Sequence, residues 1–403
     1  MRTPVLLLAF LAILVHADPL ILPLNKFLSF GTSLVKNVEP GADLYLASKD
    51  SDEYLKNIQI TTGGNSITLD SLNGFNADSS PICLRIIDTM TVSTTNNDTI
   101  SSWLGGNLYV TTKTQADDPN FSVYVIKTQH NITMKSGTSV ILNTKLEPFV
   151  YIDQPYKTSY VSGIQQSKDA VVDFKWGIPS YNWQSVDTNN TFFKNPMDLK
   201  NDTYRSYVFF DHIEPLQIGF EYWYITANGS ITMQIENKFI TDQNYTTTGT
   251  TTTGLVVNEL LFYPHIVTFQ PDYTRTGFAG FLVSVFPENE IWFTMNYDTA
   301  HTTIDFNRTS ATEDRSWAPG QARTLTINST SQFPGIFYCQ YFSFAGDLLP
   351  MTSTSSPTTS MSGSTGMTTN TTVVSTTTVG TTTSGACSMS LWIVFVSIVY
   401  IFC

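Results

Sequence analysis

Asp211-His212-Ile213-Glu214 is the group best suited to proton transfer, because carboxylates beside an imidazole raise its pKa and pair an acid with a base. The commoner identity of such a group is a solvated strand end. His130, His265 and His301 stand apart, none within four residues of another histidine, and the chain has no HExxH, no GxSxG elbow and no phosphate-cradling glycine loop. Asp50, Asp52 and Glu53 carry the hard oxygens that calcium takes, and Asp117 with Asp118 makes a second such group. Calcium wants about six to eight oxygens, and no glycine-centred loop surrounds either group, so both read as polar turns. No metal, cofactor or catalytic residue is assigned. Trp176, Trp183, Trp223 and Trp292 are candidates for stacking on sugar rings, with Tyr181 and Asn182 beside Trp183, although core packing accounts for most aromatics in strands.

Composition narrows the function classes. In 403 residues only 13% are charged, aromatics also reach 13%, and the formal net charge is −12. The 21 basic residues form no block, which argues against nucleic acid as a partner. Four cysteines, Cys83, Cys339, Cys387 and Cys403, are too few for a disulfide scaffold and lack zinc spacing.

The chain ends are the most informative segments. Arg2 precedes eleven apolar residues, Val5 to Val15, and Val15-His16-Ala17 supplies a small residue at the cut, so residues 1–17 read as a secretory signal. From Met351 to Ser384, 23 of 34 residues are Ser or Thr, and no charge occurs from Met351 to Cys403. Such a tract buries too little apolar surface to fold, and residues 351–384 read as a disordered stalk. Small residues at Ser384, Gly385 and Ala386 precede an apolar run of 13 residues, Leu391 to Cys403, with no basic flank. That pattern reads as a glycosylphosphatidylinositol (GPI) attachment signal at Ser384, with Gly380 the alternative site, and 385–403 removed. A short single-pass anchor is the competing reading. Processing would leave Cys83 and Cys339 alone in an oxidising compartment, and a disulfide between them is expected.

Between the ends the signal is strand nearly throughout. Runs of β-branched and aromatic residues separated by Gly, Asn, Asp and Pro predict strands over Lys56 to Thr62, Cys83 to Thr89, Asn107 to Thr112, Ser122 to Thr128 and Tyr204 to Phe210. Further strands are predicted at Phe220 to Thr226, Ile231 to Phe239, Gly280 to Phe286, Ile291 to Tyr297 and Thr324 to Asn328, with helices few and short. Gln129 to Leu146 reads as a polar segment after a closing strand, and Thr241 to Gly254 as a Thr/Gly linker or long hairpin. The fold class is all-β: tandem sandwiches, with 18–148 as the first and 149–350 as a second β-rich region that a split near 241–254 would divide again. Sequons for N-glycosylation occur at Asn97, Asn120, Asn131, Asn189, Asn201, Asn228, Asn244, Asn307, Asn328 and Asn370.

Gly63-Gly64-Asn65-Ser66-Ile67-Thr68-Leu69, Gly105-Gly106-Asn107-Leu108-Tyr109-Val110 and Asn120-Phe121-Ser122-Val123-Tyr124-Val125 resemble the CUB-like domain of nematode secreted proteins, many of which share the signal, β-rich body, Thr-rich stalk and GPI-type tail. The resemblance implies jelly-roll sandwiches, a place at an epithelial surface and a part in innate defence. Ordinary CUB domains often carry two disulfides and an acidic calcium site, and this chain departs from that with one cysteine pair at most. The expected function is a GPI-anchored, non-enzymatic glycoprotein on the extracellular face, held to the membrane by its lipid and binding an extracellular protein or glycan. A structural coat component is the alternative and a secreted hydrolase a distant one.

Overall fold

Short strands with alternating burial dominate the computed structural model, which describes residues 17–27, 31–94, 104–147, 156–180, 190–200, 205–240, 244–258, 261, 263–307, 309 and 313–349. Most of the signal at 1–17, the stalk at 351–384, the segment 385–403 with its anchor, Ser384, Trp183, and Asn97, Asn189, Asn201 and Asn370 lie outside the described residues. The helical content described is two short α-helices, α1 (Asp52–Leu55) and α2 (Lys113–Asp117), and two 3-10 turns, Leu24–Phe27 and Leu69–Leu72.

The first eight strands are β1 (Leu20–Pro23), β2 (Gly31–Val35), β3 (Asp43–Ala47), β4 (Ile58–Thr62), β5 (Asn65–Thr68), β6 (Cys83–Arg85), β7 (Met90–Thr94) and β8 (Asn107–Val110). They form two four-stranded sheets, β1-β8-β3-β6 and β2-β7-β4-β5. In β4, Ile58, Ile60 and Thr62 point inward while Gln59 and Thr61 do not, the period-2 pattern of a half-buried strand. Their shared core holds Leu44, Leu46, Ile60, Met90, Val92 and Leu108.

Nine strands follow: β9 (Phe121–Ile126), β10 (Gln129–Asn143), β11 (Ser159–Gln166), β12 (Val171–Trp176), β13 (Thr191–Asn195), β14 (Met197–Lys200), β15 (Arg205–Val208), β16 (Leu216–Ile218) and β17 (Tyr222–Glu236). Gln129 to Leu146, expected as a polar connection, is therefore mostly a strand, and the two strands expected at 220–226 and 231–239 are one. In the first half of β10 the polar residues escape burial because Gln129, Asn131, Thr133 and Lys135 share an exposed face while Ile132 and Met134 face the core, whereas Thr138, Ser139 and Asn143 of the second half are buried.

The β10–β17 ribbon must fold back on itself. Ile126 pairs with Asn143, yet only residues 127 and 128 separate β9 from the start of β10. A straight strand of that length would hold those ends about 45 Å apart. The register breaks between Met134 and Ser136, beside Gly137 (φ 108°) and Gly229 (φ 111°). A Cβ at Gly137 would lie 2.1 Å from the Asn120 carbonyl oxygen, so glycine is required where the ribbon turns. The ends meet at Asn237, whose Nδ2 donates to the Thr144 and Thr158 carbonyls. Between the folded halves lies a core of Ile132, Met134, Ile141, Phe174, Trp223, Ile225, Ile231 and Ile235. The outer face, with Val123, Val125, Val140 and Leu142, packs on Ala47 and Tyr109 of the first sheets.

The last nine strands are β18 (Asn244–Thr246), β19 (Thr252–Asn258), β20 (His265–Thr268), β21 (Arg275–Pro287), β22 (Ile291–Tyr297), β23 (His301–Phe306), β24 (Glu313–Pro319), β25 (Ala322–Ser329) and β26 (Gly335–Leu348). They build the sheets β18-β20-β25-β22-β23 and β19-β26-β21-β24, closed on a core rich in phenylalanine. On β26, Phe337, Cys339 and Tyr341 face that core, whereas Tyr338 reaches the central core and Phe342 packs under Met197, Leu199 and Phe210.

The expected disulfide is absent. Cys339 is fully buried in the last core, Cys83 is exposed on β6, and both thiols are free. The two lie in separate strand packs, so no cysteine stands within reach of Cys339 among the described residues.

Candidate recognition surface

Strand β12 buries Val172 and Phe174, and Trp176, which follows them on the same face, stands exposed where the strand ends. Backbone bonds fix that end: Trp176 N donates to the Asn190 carbonyl, and Asn190 Nδ2 returns a bond to the Trp176 carbonyl. The indole Nε1 donates to the Tyr338 hydroxyl at 3.1 Å. Across from it, Phe286 of β21 and Ile336 of β26 are register partners, so both side chains stand on one face. The Trp176 and Phe286 rings meet edge to face, with centroids 6.2 Å apart and planes at 85°. Exposure is 37% for Trp176, 47% for Phe286, 40% for Ile336 and 55% for the nearby Phe333. Phe333 is held by its carbonyl, which accepts from Asn289 Nδ2 at 2.6 Å. An indole fixed by its hydrogen bond to Tyr338, with Phe286 and Ile336 beside it on paired strands, offers apolar contact area that is partly ordered in advance, the property that makes aromatic anchors effective.

The other sequence candidates resolve differently. Trp223 is wholly buried and available to no ligand, and Trp292 is half-buried on β22. Glu214 has no exposed surface. Its carboxylate accepts from Tyr245 Oη (2.6 Å), Thr252 Oγ1 (2.8 Å), Thr248 N (2.8 Å) and Thr248 Oγ1 (2.9 Å), with Gly249 N at 3.3 Å. Burial by itself would raise its pKa, but the bonds from Tyr245, Thr248 and Thr252 outweigh burial and hold it below the ordinary glutamate value. His212 Nε2 lies 2.6 Å from Thr248 Oγ1 and 3.4 Å from Glu214 Oε1. With Thr248 donating to the carboxylate, the imidazole is left to donate to Thr248. The cluster fastens the Thr/Gly segment at 244–253 to residues 212–214, and its carboxylate has no lone pair aimed at solvent.

Asp50 is buried and accepts from Ser48 Oγ, Gly105 N and Gly106 N, while Asp52 and Glu53 open α1 behind the Ser51 cap. Asp117 pairs with Arg85, and Asp118 accepts from Asn120 N. Among the described residues no group of three or more His, Cys, Asp or Glu is placed to hold a metal ion. The described sequons place Asn120, Asn131, Asn228, Asn244 and Asn307 in solvent and Asn328 half-buried.

Sequence reasoning found Trp176 but missed Phe286, Ile336 and Phe333. Their available signal was position, since Phe286 and Ile336 lie at strand ends facing the polar Glu288-Asn289-Glu290 turn.

No curated protein matches this chain. The family model described as "Glycoprotein: Transmembrane glycoprotein" matches residues 39–400, covering the β-rich body from β3 onward and reaching into the apolar tail. The match does not reproduce the CUB-like resemblance, and it carries membrane association and a glycoprotein character. On that coverage the chain belongs to this transmembrane glycoprotein family.

Proposed function

We propose that the protein is a non-enzymatic surface glycoprotein that recognises an extracellular protein or glycan through the Trp176, Phe286 and Ile336 shelf. The shelf carries this reading, because three neighbouring apolar side chains, one of them an indole fixed by a hydrogen bond, stand in water where a partner would bury them. The occupied Glu214 carboxylate supports the non-enzymatic part, since a general base needs a lone pair free for its substrate. The CUB-like resemblance adds innate defence at an epithelial surface as the setting. The folded unit, stalk and anchor follow in that order, with a GPI on or near Ser384 as the tether.

The soluble ectodomain, offered to a glycan array and to bacteria, should bind saturably, and Trp176→Ala with Phe286→Ala should weaken binding about tenfold or more. Binding that does not saturate, or that survives both changes, would favour a structural coat. A single-pass anchor is the second reading, favoured by the family's description as transmembrane. Phosphatidylinositol-specific phospholipase C separates the two, releasing the protein from intact cells only if the tether is a lipid.

A further inference from the structure

Strand β22 sends Ile291, Phe293 and Met295 into the phenylalanine-rich core and turns Trp292, Thr294 and Asn296 to the outer face of its sheet. On that face the register places Thr324, Thr326 and Asn328 of β25 on one side and His301, Thr303 and Asp305 of β23 on the other. An indole is out of keeping with such polar neighbours. Trp292 is half-buried yet belongs to none of the hydrophobic cores, and among the described residues it makes no ring contact and no hydrogen bond.

The residue directly across from the indole opens a sequon. Asn328 is the register partner of Trp292 and begins Asn328-Ser329-Thr330. Partners of this kind hold their Cβ atoms about 4.5–5.5 Å apart on one face. Asn328 Oδ1 accepts from Ser329 N at 2.9 Å, which fixes the amide, and Nδ2, the nitrogen that carries a sugar, has no hydrogen-bond partner among the described residues. On the far side of the indole stands the exposed Asp305, so a carboxylate borders the ring opposite the amide. The other described sequons have no such platform. Asn131 faces Gln234, Asn228 faces Ser136 and Val171, and Asn244 faces Ile266, while Asn120 and Asn307 lie just outside their strands.

We propose that Trp292 is the platform for the chain's own N-glycan: the first N-acetylglucosamine, attached at Asn328, lies flat on the indole with Asp305 accepting from its hydroxyls. The axial C–H face of that sugar is apolar and weakly positive while the indole face is electron-rich, so the two attract. Attachment joins Asn328 Nδ2 to C1 of a polyprenyl-pyrophosphate-linked oligosaccharide, breaks the bond from C1 to the pyrophosphate, which leaves with its lipid, and releases one Nδ2 proton. The tether makes the contact intramolecular, so it forms without the loss of freedom that a separate ligand would suffer. This site is separate from the Trp176 shelf and needs no partner.

The test uses the full chain from a glycosylating host fed carbon-13-labelled sugar, with its N-glycans trimmed by endoglycosidase to the first N-acetylglucosamine. Mass spectrometry should find Asn328 occupied. In the NMR spectrum one sugar should show ring C–H signals moved upfield by the indole, and Asn328→Gln should delete that set. Trp292→Leu should return it to the ordinary position with Asn328 still occupied, while the sugar on Asn228 stays unshifted throughout. Trp292→Leu and Asn328→Gln should each lower the melting midpoint by about 2 °C and together by no more than either alone, whereas Trp292→Leu and Ser230→Ala, which removes the Asn228 sugar, should add. Should Trp292→Leu fail to be secreted, the upfield set in wild type and its loss in Asn328→Gln or Thr330→Ala decide the matter. The proposal is overturned if Asn328 is unoccupied, if no sugar set is shifted in wild type, if the shift survives Trp292→Leu, or if the losses from Trp292→Leu and Asn328→Gln add.

Discussion

The first and last strand packs are both two-sheet sandwiches, yet they are filled by different chemistry. Every fully buried member of the first core is Leu, Ile, Val, Met or Ala. The last core buries Phe269, Phe281, Phe293, Phe306, Phe337 and Tyr341. Phe293 is its hub, meeting Phe306 at 5.9 Å and 88° and Phe337 at 5.6 Å and 77°, with Phe281 at 6.1 Å. Aliphatic side chains fill space with little orientation dependence, whereas rings meeting edge to face fix one another's angles. Sequons differ as well: Asn97 is the single one before residue 120, whereas Asn244, Asn307 and Asn328 fall within the last pack. One pack is aliphatic inside and its stretch of chain carries one sequon, while the other is aromatic inside and carries three.

Phe293→Ala tests that contrast most severely. It should cost about 3–5 kcal/mol, because three ring contacts vanish and a cavity remains, against about 2–5 kcal/mol for Leu44→Ala in the first core. Denaturant melts of the two variants decide it, and equal midpoints would mean that ring geometry adds nothing beyond volume.

Acid should find the later half first. Glu214 has its pKa lowered in the fold, so the stability it contributes is complete above the ordinary glutamate range, about pH 4.3, and is lost as pH falls through the lower folded value. Thermal melts at falling pH should show the loss, and Glu214→Gln should flatten that acid limb while lowering stability at pH 7 by about 1–3 kcal/mol, since donors then face an amide nitrogen.

Ile60→Val removes one methylene from the aliphatic core and should cost only about 0.5–1.5 kcal/mol, checked by the same melts. The smallest effect is on stability and the clearest on reactivity: Cys83 should alkylate in the native protein, while Cys339, whose thiol pKa burial drives well up, should react only after unfolding. Equal labelling rates would erase the difference between the cysteine of the aliphatic pack and that of the aromatic one.

Much of the strand content was legible because alternation is a local property. Ile291 to Tyr297 forms β22 with the bounds read from sequence, and Phe337, Cys339 and Tyr341 share a buried face as their spacing requires. Strand β10 was not legible, because its polar face mimics a loop and only the folded ribbon shows which side Ile132 and Met134 bury. Among site candidates Trp176 was within reach, while Phe286 and Ile336 became neighbours only through the β21–β26 register.

Residue order alone determined the class of strand, the acidic and sparsely charged body, the sequons, and the Ser/Thr tract leading to an apolar end, since each is a property of composition or of neighbours along the chain. Tertiary structure decided that the cysteines stay apart, that Glu214 is a clasp, and that Trp223 is core while Trp176 is surface. Those outcomes depend on which distant strands pair and which face each sheet buries. Pairing is chosen by burial summed over the whole chain, a quantity that no local window contains.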